Sequence, residues 1–413
     1  MKLVVFEDDA TAGFGPLTML RHMGQLNRGT KTLLEAVRES IADSIDLVLW
    51  GRDHLKDVCR ESLGRGYNEK VDGLTTLVNA RARPGKLLAD MTSRKTPFVA
   101  MAESQVVAAR VRGNGMTPGL IGRRDFARIG KSVEKLEAPP DSLFTGYWDL
   151  VQSNGLAIAE QAKRFEDPLS LPSEVEVRGP RSSLRVSGRA DVELHIMFDT
   201  RLGPVVVEEG ALVESFSRIM GPCYLGPKTK VYSAAIGGGT SVFDGCKVGG
   251  QVENSIIMSH TNKAHHGYVG DSYVGEWVNL GAGSTFSNLK NTYGNVRLDV
   301  GRKRIDSGML QLGPVVGDMS KVSVGTLVYA GRLLGTGCQV AGLANKNVPS
   351  FTYSDGSGRM VQLLLESVLE TQRRMMERRG RTLTRAGEAL IRKAFRDTSE
   401  ERRKAGVRKG RLS

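Results

Sequence analysis

An aliphatic residue returns every six positions through much of residues 207–340, and this period restricts the possible fold more than any other feature of the chain. An amphipathic helix repeats near 3.6 residues and a half-buried strand near 2, whereas hexapeptide repetition is typical of a parallel β-helix. We therefore predict a β-helix over residues 205–350 with the repeated aliphatic side chains inside it. These residues are Val207, Val213, Ile219, Leu225, Val231, Ile236, Val242, Val248, Val274, Leu280, Leu310, Val316, Val322, Val328, Leu334 and Val340.

Strand-like and helical runs alternate in the part of the chain before the repeat. Residues 2–6 and 45–50 read as buried strands, with a helical pattern around residues 32–41 between them, and residues 75–79 and 98–102 are also strand-like. This alternation is typical of an α/β domain with a mainly parallel sheet. Because 413 residues exceed one ordinary core, we predict an α/β domain over residues 1–166 ahead of the β-helix.

Two further segments complete the predicted organisation. The helical pattern before Asp167 stops at the run Asp167 to Pro172, so residues 167–204 are expected to hold a linker and the first coil. Residues 351–413 read as a basic helical tail. The tail is expected to begin with a helix, because four apolar residues recur there at helical spacing, namely Met360, Leu364, Val368 and Met375.

Charge, cysteine content and hydropathy exclude several classes of protein. The formal charge is +13, but residues 359–413 alone hold 16 Lys or Arg against 7 Asp or Glu, and a basic tail is usually solvated, so nucleic acid is not expected as a partner. The four cysteines, which form no CxxC pair, indicate neither a zinc knuckle nor a disulfide framework. Without a signal-peptide pattern or a run of membrane-spanning length, we expect a cytoplasmic protein that does not bind membranes.

Several motifs resemble one family of bacterial enzymes. In the first domain they are Pro16-Leu-Thr18, Arg21 and Gly29; in the repeat they are Asn262-Lys-Ala-His265, Gly267-Tyr-Val-Gly270, the run 274–282 and the run 287–294. They look like an alternative class of bifunctional N-acetylglucosamine-1-phosphate uridylyltransferase/glucosamine-1-phosphate N-acetyltransferase. The resemblance implies a nucleotidyltransferase-like α/β domain, then a left-handed parallel β-helix and a C-terminal helix. It also implies a homotrimer, because related acyltransferases complete their sites between subunits.

The resemblance implies that an acetyl group moves from acetyl-CoA to the amine of a sugar 1-phosphate, with glucosamine 1-phosphate as the expected acceptor. The ammonium must lose a proton, so a general base is needed, and histidine suits this role near neutral pH. His265 matches the catalytic histidine of the family, although the adjacent His266 can be aligned with it instead. The remaining positions implied by the family are Tyr268, Asn279 and Asn288 for the sugar phosphate and Ala282 and Thr326 for acetyl-CoA.

In the first domain the resemblance implies uridylyl transfer from UTP with Mg²⁺, which would place the protein in UDP-N-acetylglucosamine synthesis. Arg21 and Arg28 are the candidate nucleotide-binding residues. The usual glycine-rich loop is missing, and Asp8 and Asp9 are either metal ligands or simply exposed acidic residues. The domain is therefore either an active uridylyltransferase or a degenerate remnant.

The repeat contains departures that bear on the substrate. Between Phe286 and Met309 the six-residue step breaks, which predicts a loop whose cations either hold a phosphate or are merely solvated. These cations are Lys290, Arg297, Arg302, Lys303 and Arg304. The basic residues that the family uses for the sugar phosphate are matched here by Ala235 and Glu253, so the substrate is less certain than the reaction.

Two other kinds of protein remain as alternatives. One is a metalloenzyme of the γ-carbonic anhydrase type, because His260 and His265 are five residues apart and could be two zinc ligands, with Tyr224 near the place of the third. The other is a trimeric β-helix scaffold without catalytic activity, which substitution of His265 would distinguish from an enzyme.

Overall fold

The computed structural model describes residues 2–41, 46–64, 66–119, 133–165, 171–300 and 303–410. Residue 45 of the predicted second strand, residues 167–170 of the predicted linker and Arg302 lie outside the described residues. The chain forms two compact units. The first comprises Met1–Leu26, Lys31–Gly146 and Thr384–Lys393, and the second comprises Asn27–Thr30, Tyr147–Leu383 and Ala394–Ser413.

The first unit is built on a mixed sheet, and the strands predicted within residues 2–6, 46–50, 75–79 and 98–102 are all present. The strands in this part of the chain are β1 (Lys2–Phe6), β2 (Asn27–Arg28), β3 (Lys31–Thr32), β4 (Asp46–Trp50), β5 (Gly66–Tyr67), β6 (Val71–Asn79), β7 (Phe98–Ala102), β8 (Gln105–Met116) and β9 (Glu134–Glu137). The described sheet has the order β5-β4-β1-β6-β8-β7-β9. Strand β1 is parallel to both β4 and β6, and β8 is antiparallel to β6 and β7.

Local signals explain where the helices begin. Thr32 caps the first of them, because its hydroxyl accepts from Glu35 N–H at 3.2 Å while the Glu35 carboxylate accepts from Thr32 N–H at 2.7 Å. The described α-helices are α1 (Leu33–Glu39), α2 (Lys56–Leu63), α3 (Lys86–Ser93), α4 (Tyr147–Gln152), α5 (Asn154–Gln161), α6 (Leu365–Glu377), α7 (Arg385–Asp397) and α8 (Ser399–Lys404). Short 3₁₀ helices span Asp9–Phe14, Met23–Gln25, Asp53–Leu55, Pro140–Ser142, Ala162–Arg164 and Arg181–Ser183. None of the helices in the described ranges is long and apolar enough to cross a bilayer.

The second unit is a left-handed parallel β-helix, and its described strands lie on three faces. The first face holds Glu176–Arg178, Met197–Asp199, Arg218–Met220, Tyr268–Gly270, Thr285–Phe286, Leu327–Val328 and Leu343–Ala344. The second holds Leu184–Val186, Val205–Val207, Cys223–Leu225, Thr240–Val242, Ile256–Ile257, Tyr273–Val274, Val315–Val316 and Leu333–Leu334. The third holds Asp191–Val192, Leu212–Val213, Asn262–Lys263, Asn279–Leu280, Lys321–Val322, Gln339–Val340 and Thr352–Ser354. Lys230–Ile236 and Lys247–Glu253 pass round the corner from the third face to the first.

The six-residue period correctly predicted the interior of the coil with one exception. All of the predicted aliphatic residues from Val207 to Leu280 and from Val316 to Val340 are at most 2% exposed. The prediction for Leu310 is wrong, because its side chain is 48% exposed, whereas Leu312 is fully buried. Leu310 still belongs to the excursion, where its neighbour Gln311 forms a bridge with Leu289, and the coil resumes at Val315–Val316 in the phase that the period predicts.

Two other segments differ from prediction. Residues 286–309 form more than a loop, since Arg297–Val300 and Lys303–Asp306 pair as an antiparallel hairpin. The C-terminal helix was predicted to begin at Met360, but Met360–Gln362 is a strand antiparallel to Thr352–Ser354, and the helix begins at Leu365. The four-residue spacing of apolar side chains therefore wrongly placed Met360 in the helix. It belongs to a strand that pairs with the last coil.

Candidate functional site

The corner between the third and first faces carries the two candidate histidines. Strand Asn262–Lys263 ends on the third face and Tyr268–Gly270 begins on the first, so residues 264–267 form the turn. His265 and His266 are both exposed. Gly267 has φ 123° and a Cβ there would come within 2.2 Å of the Ser284 carbonyl oxygen, so this turn requires glycine.

The two histidines differ in what surrounds them. The carbonyl of His265 accepts a bond from Lys263 Nζ at 2.6 Å, whereas the carbonyl of His266 accepts from Gly283 N–H in the next coil at 2.9 Å. The ring of His266 lies beside Gly283, since a Cβ on that glycine would be 3.4 Å from Nε2 of His266. Both histidines therefore stay candidates for the base.

Lys263 was missed by the sequence analysis. It is 2% exposed, and it pairs with Val248 of the preceding coil, in the column that is otherwise aliphatic. Its ammonium donates to the carbonyls of Gly249 at 2.7 Å and His265 at 2.6 Å, and burial lowers its pKa to about 8. The signal was available, because Ile257, Lys263 and Val269 are six residues apart and the period assigns the middle one to the interior.

Tyr268 and Asn288 are brought together on the first face. Asn288 Nδ2 donates to the Tyr268 hydroxyl at 3.0 Å and to Asp271 Oδ2 at 2.6 Å. The Tyr268 hydroxyl in turn lies 3.4 Å from Glu253 Oε2. Burial, with the nearby carboxylates of Glu253 and Asp271, raises the pKa of Tyr268 to about 12, so it is a neutral phenol at physiological pH. The surroundings of this phenol are acidic rather than basic.

Asn279 is on a different face from that pair. It lies on the third face, where its Oδ1 accepts from Asn262 Nδ2 of the preceding coil at 2.8 Å. The two side chains form an asparagine ladder, which leaves the Asn279 amide nitrogen for other contacts on the outside of the coil.

The two positions predicted for acetyl-CoA have unlike surroundings. Ala282 is half-buried in the coil after the histidines, and its carbonyl accepts from Gly325 N–H at 2.8 Å. Thr326 is fully buried, and its hydroxyl lies 3.4 Å from the Val340 carbonyl inside the coil. Its backbone N–H and carbonyl are also engaged, with Ser323 and Thr285. This burial contradicts a role of Thr326 in contacting a cofactor on this chain.

Three cations of the predicted basic loop, those whose side chains the structure describes, have partners within the loop. Arg297 lies 3.6 Å from Asp306 and Arg304 lies 3.8 Å from Asp299, with all four side chains about half-exposed or more. Lys290 Nζ donates to the Asn295 carbonyl at 2.6 Å. Exposed pairs of this kind are weak, so the hairpin remains compatible with either a phosphate contact or a solvated surface.

At the carboxyl ends of β1 and β6 in the first unit, polar residues form a closed network. The Asp8 carboxylate accepts from Arg81 Nε at 2.9 Å and from Arg81 Nη2 at 2.6 Å, and Asn79 Nδ2 donates to it at 2.8 Å. Arg81 is 2% exposed and also donates to the Phe144 carbonyl at 2.8 Å. Ligands of open α/β sheets bind at the carboxyl ends of the strands where the strand order reverses, and in this sheet that point lies between β1 and β6. The Asp8 oxygens that could bind a ligand there are already paired with Arg81.

A second buried network surrounds Glu7. Its carboxylate pairs with Arg52 at 2.8 Å and accepts from Met23 N–H at 2.8 Å. Burial would raise the pKa of Glu7, but the Arg52 guanidinium and the Met23 N–H hold it below its ordinary value. The ring of His22 accepts from Gly24 N–H at Nδ1 and donates to the Trp50 carbonyl from Nε2, and burial lowers its pKa, so it is neutral.

The two predicted nucleotide-binding arginines belong to different compact units. Arg21 is 7% exposed in the first unit, and its carbonyl accepts from Arg52 at 2.9 Å. Arg28 belongs to the second unit, where its guanidinium donates to the Ser153 hydroxyl at 2.8 Å and to the Ser153 carbonyl at 3.0 Å. Arg21 is thus buried in one unit, and the Arg28 side chain is bound to Ser153 in the other.

Residues 3–168 match the family model described as sugar nucleotidyl transferase. Residues 3–168 are called the sugar nucleotidyl transferase domain after this match. The chain is 36% identical over 91 residues to a bifunctional sugar-1-phosphate nucleotidylyltransferase/acetyltransferase of Sulfurisphaera tokodaii, a match that covers 22% of this chain and 23% of that protein. It is 27% identical over 259 residues to the bifunctional protein GlmU of Nitratidesulfovibrio vulgaris, covering 60% of this chain and 50% of that protein.

These matches confirm the resemblance inferred from the motifs, although the matched part spans half or less of the length of each of these relatives. Among solved structures, a UDP-N-acetylglucosamine acyltransferase of Francisella novicida is 13% identical with a TM-score of 0.32, and the match covers 51% of this chain and 74% of that one.

A metal site of the γ-carbonic anhydrase type is not supported by the described residues, where no three His, Cys, Asp or Glu side chains are grouped to hold a metal ion. The ring of His260 instead packs against Trp277, with the ring centroids 4.4 Å apart and the ring planes tilted by 36°. The hydroxyl of Tyr224 donates to Glu208 at 2.9 Å. In the sugar nucleotidyl transferase domain, Asp8 is held by Arg81, so the described donors do not fit a magnesium site as they stand.

Proposed function

We propose that the coil transfers an acetyl group from acetyl-CoA to the amine of a sugar 1-phosphate, with glucosamine 1-phosphate as the acceptor. In this reaction the thioester C–S bond breaks, an amide C–N bond forms, and the thiol of CoA leaves with the proton that the amine gives up. The observation that carries the proposal is the exposed pair His265–His266. It lies on a turn that Gly267 and Lys263 hold, and the strand after this turn begins with Tyr268, which is bonded to Asn288.

We assign His265 as the general base that takes the proton from the ammonium, with His266 as the alternative. An exposed imidazole can reach a substrate outside the coil, and a positioned base contributes about 10²- to 10⁴-fold in rate. The side chain of neither histidine is needed for the aliphatic interior, so the coil can carry them without loss of packing.

The acidic surroundings of Tyr268 indicate which end of the acceptor lies there. Glu253 and Asp271 would repel a phosphate but attract an ammonium, and the neutral phenol and amide can bond to sugar hydroxyls. We therefore assign Tyr268 and Asn288 to the amino-sugar ring and place the phosphate away from Glu253. Asn279 is assigned to a second polar contact from the third face.

We assign the backbone N–H of Ala282 to the developing oxyanion of the tetrahedral intermediate. A donor of this kind stabilises the charge that appears on the thioester oxygen during attack. Gly283, its neighbour, lies beside the His266 ring, which supports a location of the thioester close to this corner. No role is assigned to Thr326.

We further propose that the coil works as a homotrimer in the cytoplasm. Val324, Leu327 and Tyr329 are 73%, 49% and 49% exposed, and apolar groups of this kind are typical of subunit contacts. The four cysteines of the chain are all free and buried, which suits a reducing compartment.

For the sugar nucleotidyl transferase domain we propose uridylyl transfer from UTP to the acetylated product. The family match supports this activity, and the pairing of Asp8 with Arg81 opposes it. Because the described donors do not fit a magnesium site, we derive no step through the metal.

The two activities can be tested in one experiment. Purified protein is incubated with acetyl-CoA, glucosamine 1-phosphate, UTP and Mg²⁺, and thiol release and pyrophosphate release are followed separately. We expect thiol release that requires the amine, and pyrophosphate release that begins without acetyl-CoA when N-acetylglucosamine 1-phosphate is supplied. Absence of thiol release with amino-sugar phosphates would overturn the acetyltransferase, and absence of pyrophosphate alone would overturn only the uridylyl transfer.

A further inference from the structure

A lysine occupies a position in the coil that its neighbours fill with aliphatic side chains. Lys263 lies over Val248 of the preceding coil, and Leu280 holds the same column in the next one. Burying an ammonium costs free energy unless its hydrogen bonds are satisfied. Lys263 is nevertheless 2% exposed, and its two bonds go to carbonyl oxygens, not to a carboxylate.

One of those carbonyls belongs to the peptide that joins the two candidate bases. Lys263 Nζ donates at 2.6 Å to the oxygen of His265, which is the oxygen of the His265–His266 peptide bond. The second bond, at 2.7 Å, goes to the Gly249 carbonyl one coil below. The ammonium therefore ties the histidine turn to the preceding coil from inside.

The turn has few other means of holding its orientation. Both histidine side chains are exposed, and Gly267, which ends the turn, has no side chain to pack. In the preceding coil, Gly249 also has no side chain that could pack against the turn, and a Cβ there would come within 2.1 Å of the Ala264 carbonyl oxygen. The orientation of the peptide is thus set by backbone bonds and by Lys263.

We propose that Lys263 is a positioning residue for acetyl transfer, which holds the His265–His266 peptide so that the imidazole of the base meets the substrate amine. This inference rests on the acetyl transfer proposed above, but it applies whichever of the two histidines is the base. A misplacement of about 1 Å in a catalytic group can cost about 10²-fold in rate. Lys263 itself touches no substrate and acts through the turn.

The coil offers a matched control in Lys321. Its ammonium also donates to two backbone carbonyls, of Met319 at 2.7 Å and Trp277 at 3.2 Å, and burial lowers its pKa to about 8 as well. Those carbonyls are remote in sequence from the histidine turn. Lys321→Met therefore removes the same chemistry as Lys263→Met without releasing the His265–His266 peptide.

The experiment measures three quantities on the full chain and on both variants: kcat and KM for acetyl transfer, the melting temperature, and amide hydrogen exchange of residues 264–267. In Lys263→Met we expect kcat to fall about 10- to 100-fold with KM for acetyl-CoA nearly unchanged, and exchange at the turn to accelerate. In Lys321→Met we expect a similar shift in melting temperature with kcat and exchange at the turn unchanged.

A double variant separates positioning from a general loss of structure. Where histidine substitution has already abolished base catalysis, Lys263→Met should bring no further fall in kcat, because the two residues act as one unit. Losses that multiply, or a Lys321→Met variant that loses as much kcat as Lys263→Met, would overturn the positioning role. Exchange at residues 264–267 that is equal in wild type and Lys263→Met would overturn it as well, whatever reaction the wild type catalyses. Failure of the proposed function would instead be seen as absent thiol release by the wild type.

Discussion

The coil and the sugar nucleotidyl transferase domain use the same polar residue types in opposite ways. In the coil the interior is aliphatic, and His265 and His266 stand on the surface outside it. In the first unit, the carboxylates of Asp8 and Glu7 and the ring of His22 are instead each engaged in a network with other protein groups. The coil buries its aliphatic residues because they recur every six positions. At the carboxyl end of the open sheet, by contrast, polar side chains are buried and must hydrogen-bond to one another.

The largest expected effect concerns the exposed histidines of the coil. His265→Ala should lower acetyl transfer by about 10²- to 10⁴-fold, because a positioned base is lost, while the fold is retained since the side chain is outside the interior. Thiol release with glucosamine 1-phosphate measures it, and uridylyl transfer should not change. His266→Ala is the control and should be much milder.

The opposite result would move the base by one residue. If His266→Ala loses acetyl transfer severely and His265→Ala does not, His266 is the base. Normal rates in both variants would contradict a general base at this corner of the coil. The contrast between exposed catalytic groups on the coil and paired polar groups in the first unit would then be wrong as well.

A buried ion pair should carry stability in the first unit. Arg81→Met leaves Asp8, whose side chain is 20% exposed, with Asn79 but without its charged partner, and removing one member of a buried pair costs about 3–5 kcal/mol at most. Native-state hydrogen exchange of β1 and β6 measures the loss. The control is Arg60→Met, whose pair with Glu69 has both side chains about half-exposed and contributes about 1 kcal/mol or less. Equal losses in both variants would show that the Asp8–Arg81 network is not what closes this end of the sheet.

The end of the excursion can be tested at Leu310, where the period and the structure disagree. Leu312→Ala should destabilise the protein by about 2–4 kcal/mol, because it empties a buried site, whereas Leu310→Ala should stay within about 0.5 kcal/mol. Urea unfolding of the two variants makes the measurement. A larger cost at Leu310 would mean that its side chain is buried in the coil, as the period predicts, and not exposed on the excursion.

The smallest effect is a pH dependence in the first unit. Because the folded pKa of Glu7 lies below its ordinary value of 4.5, its stabilisation is present above pH 4.5 and is lost as the pH falls through the folded pKa. The difference in unfolding free energy between wild type and Glu7→Gln should therefore shrink by about 1–2 kcal/mol from pH 4.5 to pH 3. A difference that stays constant over this range would contradict a charged, paired Glu7.

The amino-acid sequence by itself determined the coil, most of its interior and the strands of the first unit. Each of these depends on a local period: six residues for Val213 or Val322 in the coil, and short apolar runs for β1 and β4. The motifs around His265 likewise indicated the corner that the structure leaves exposed. Local patterns suffice here because every coil repeats the same burial as its neighbours.

Only the tertiary structure decided which side chains meet. Asn288 reaches Tyr268 because one coil stacks on another, and the same stacking turns Thr326 inward and separates Asn279 from that pair. Arg81 takes the oxygens of Asp8 because β1 and β6 are adjacent strands, although the two residues are far apart in the chain. Lys263 shows both sides of this division. The period assigned it to the interior, but only the stacking of coils gave its ammonium the carbonyls of Gly249 and His265, which satisfy it there.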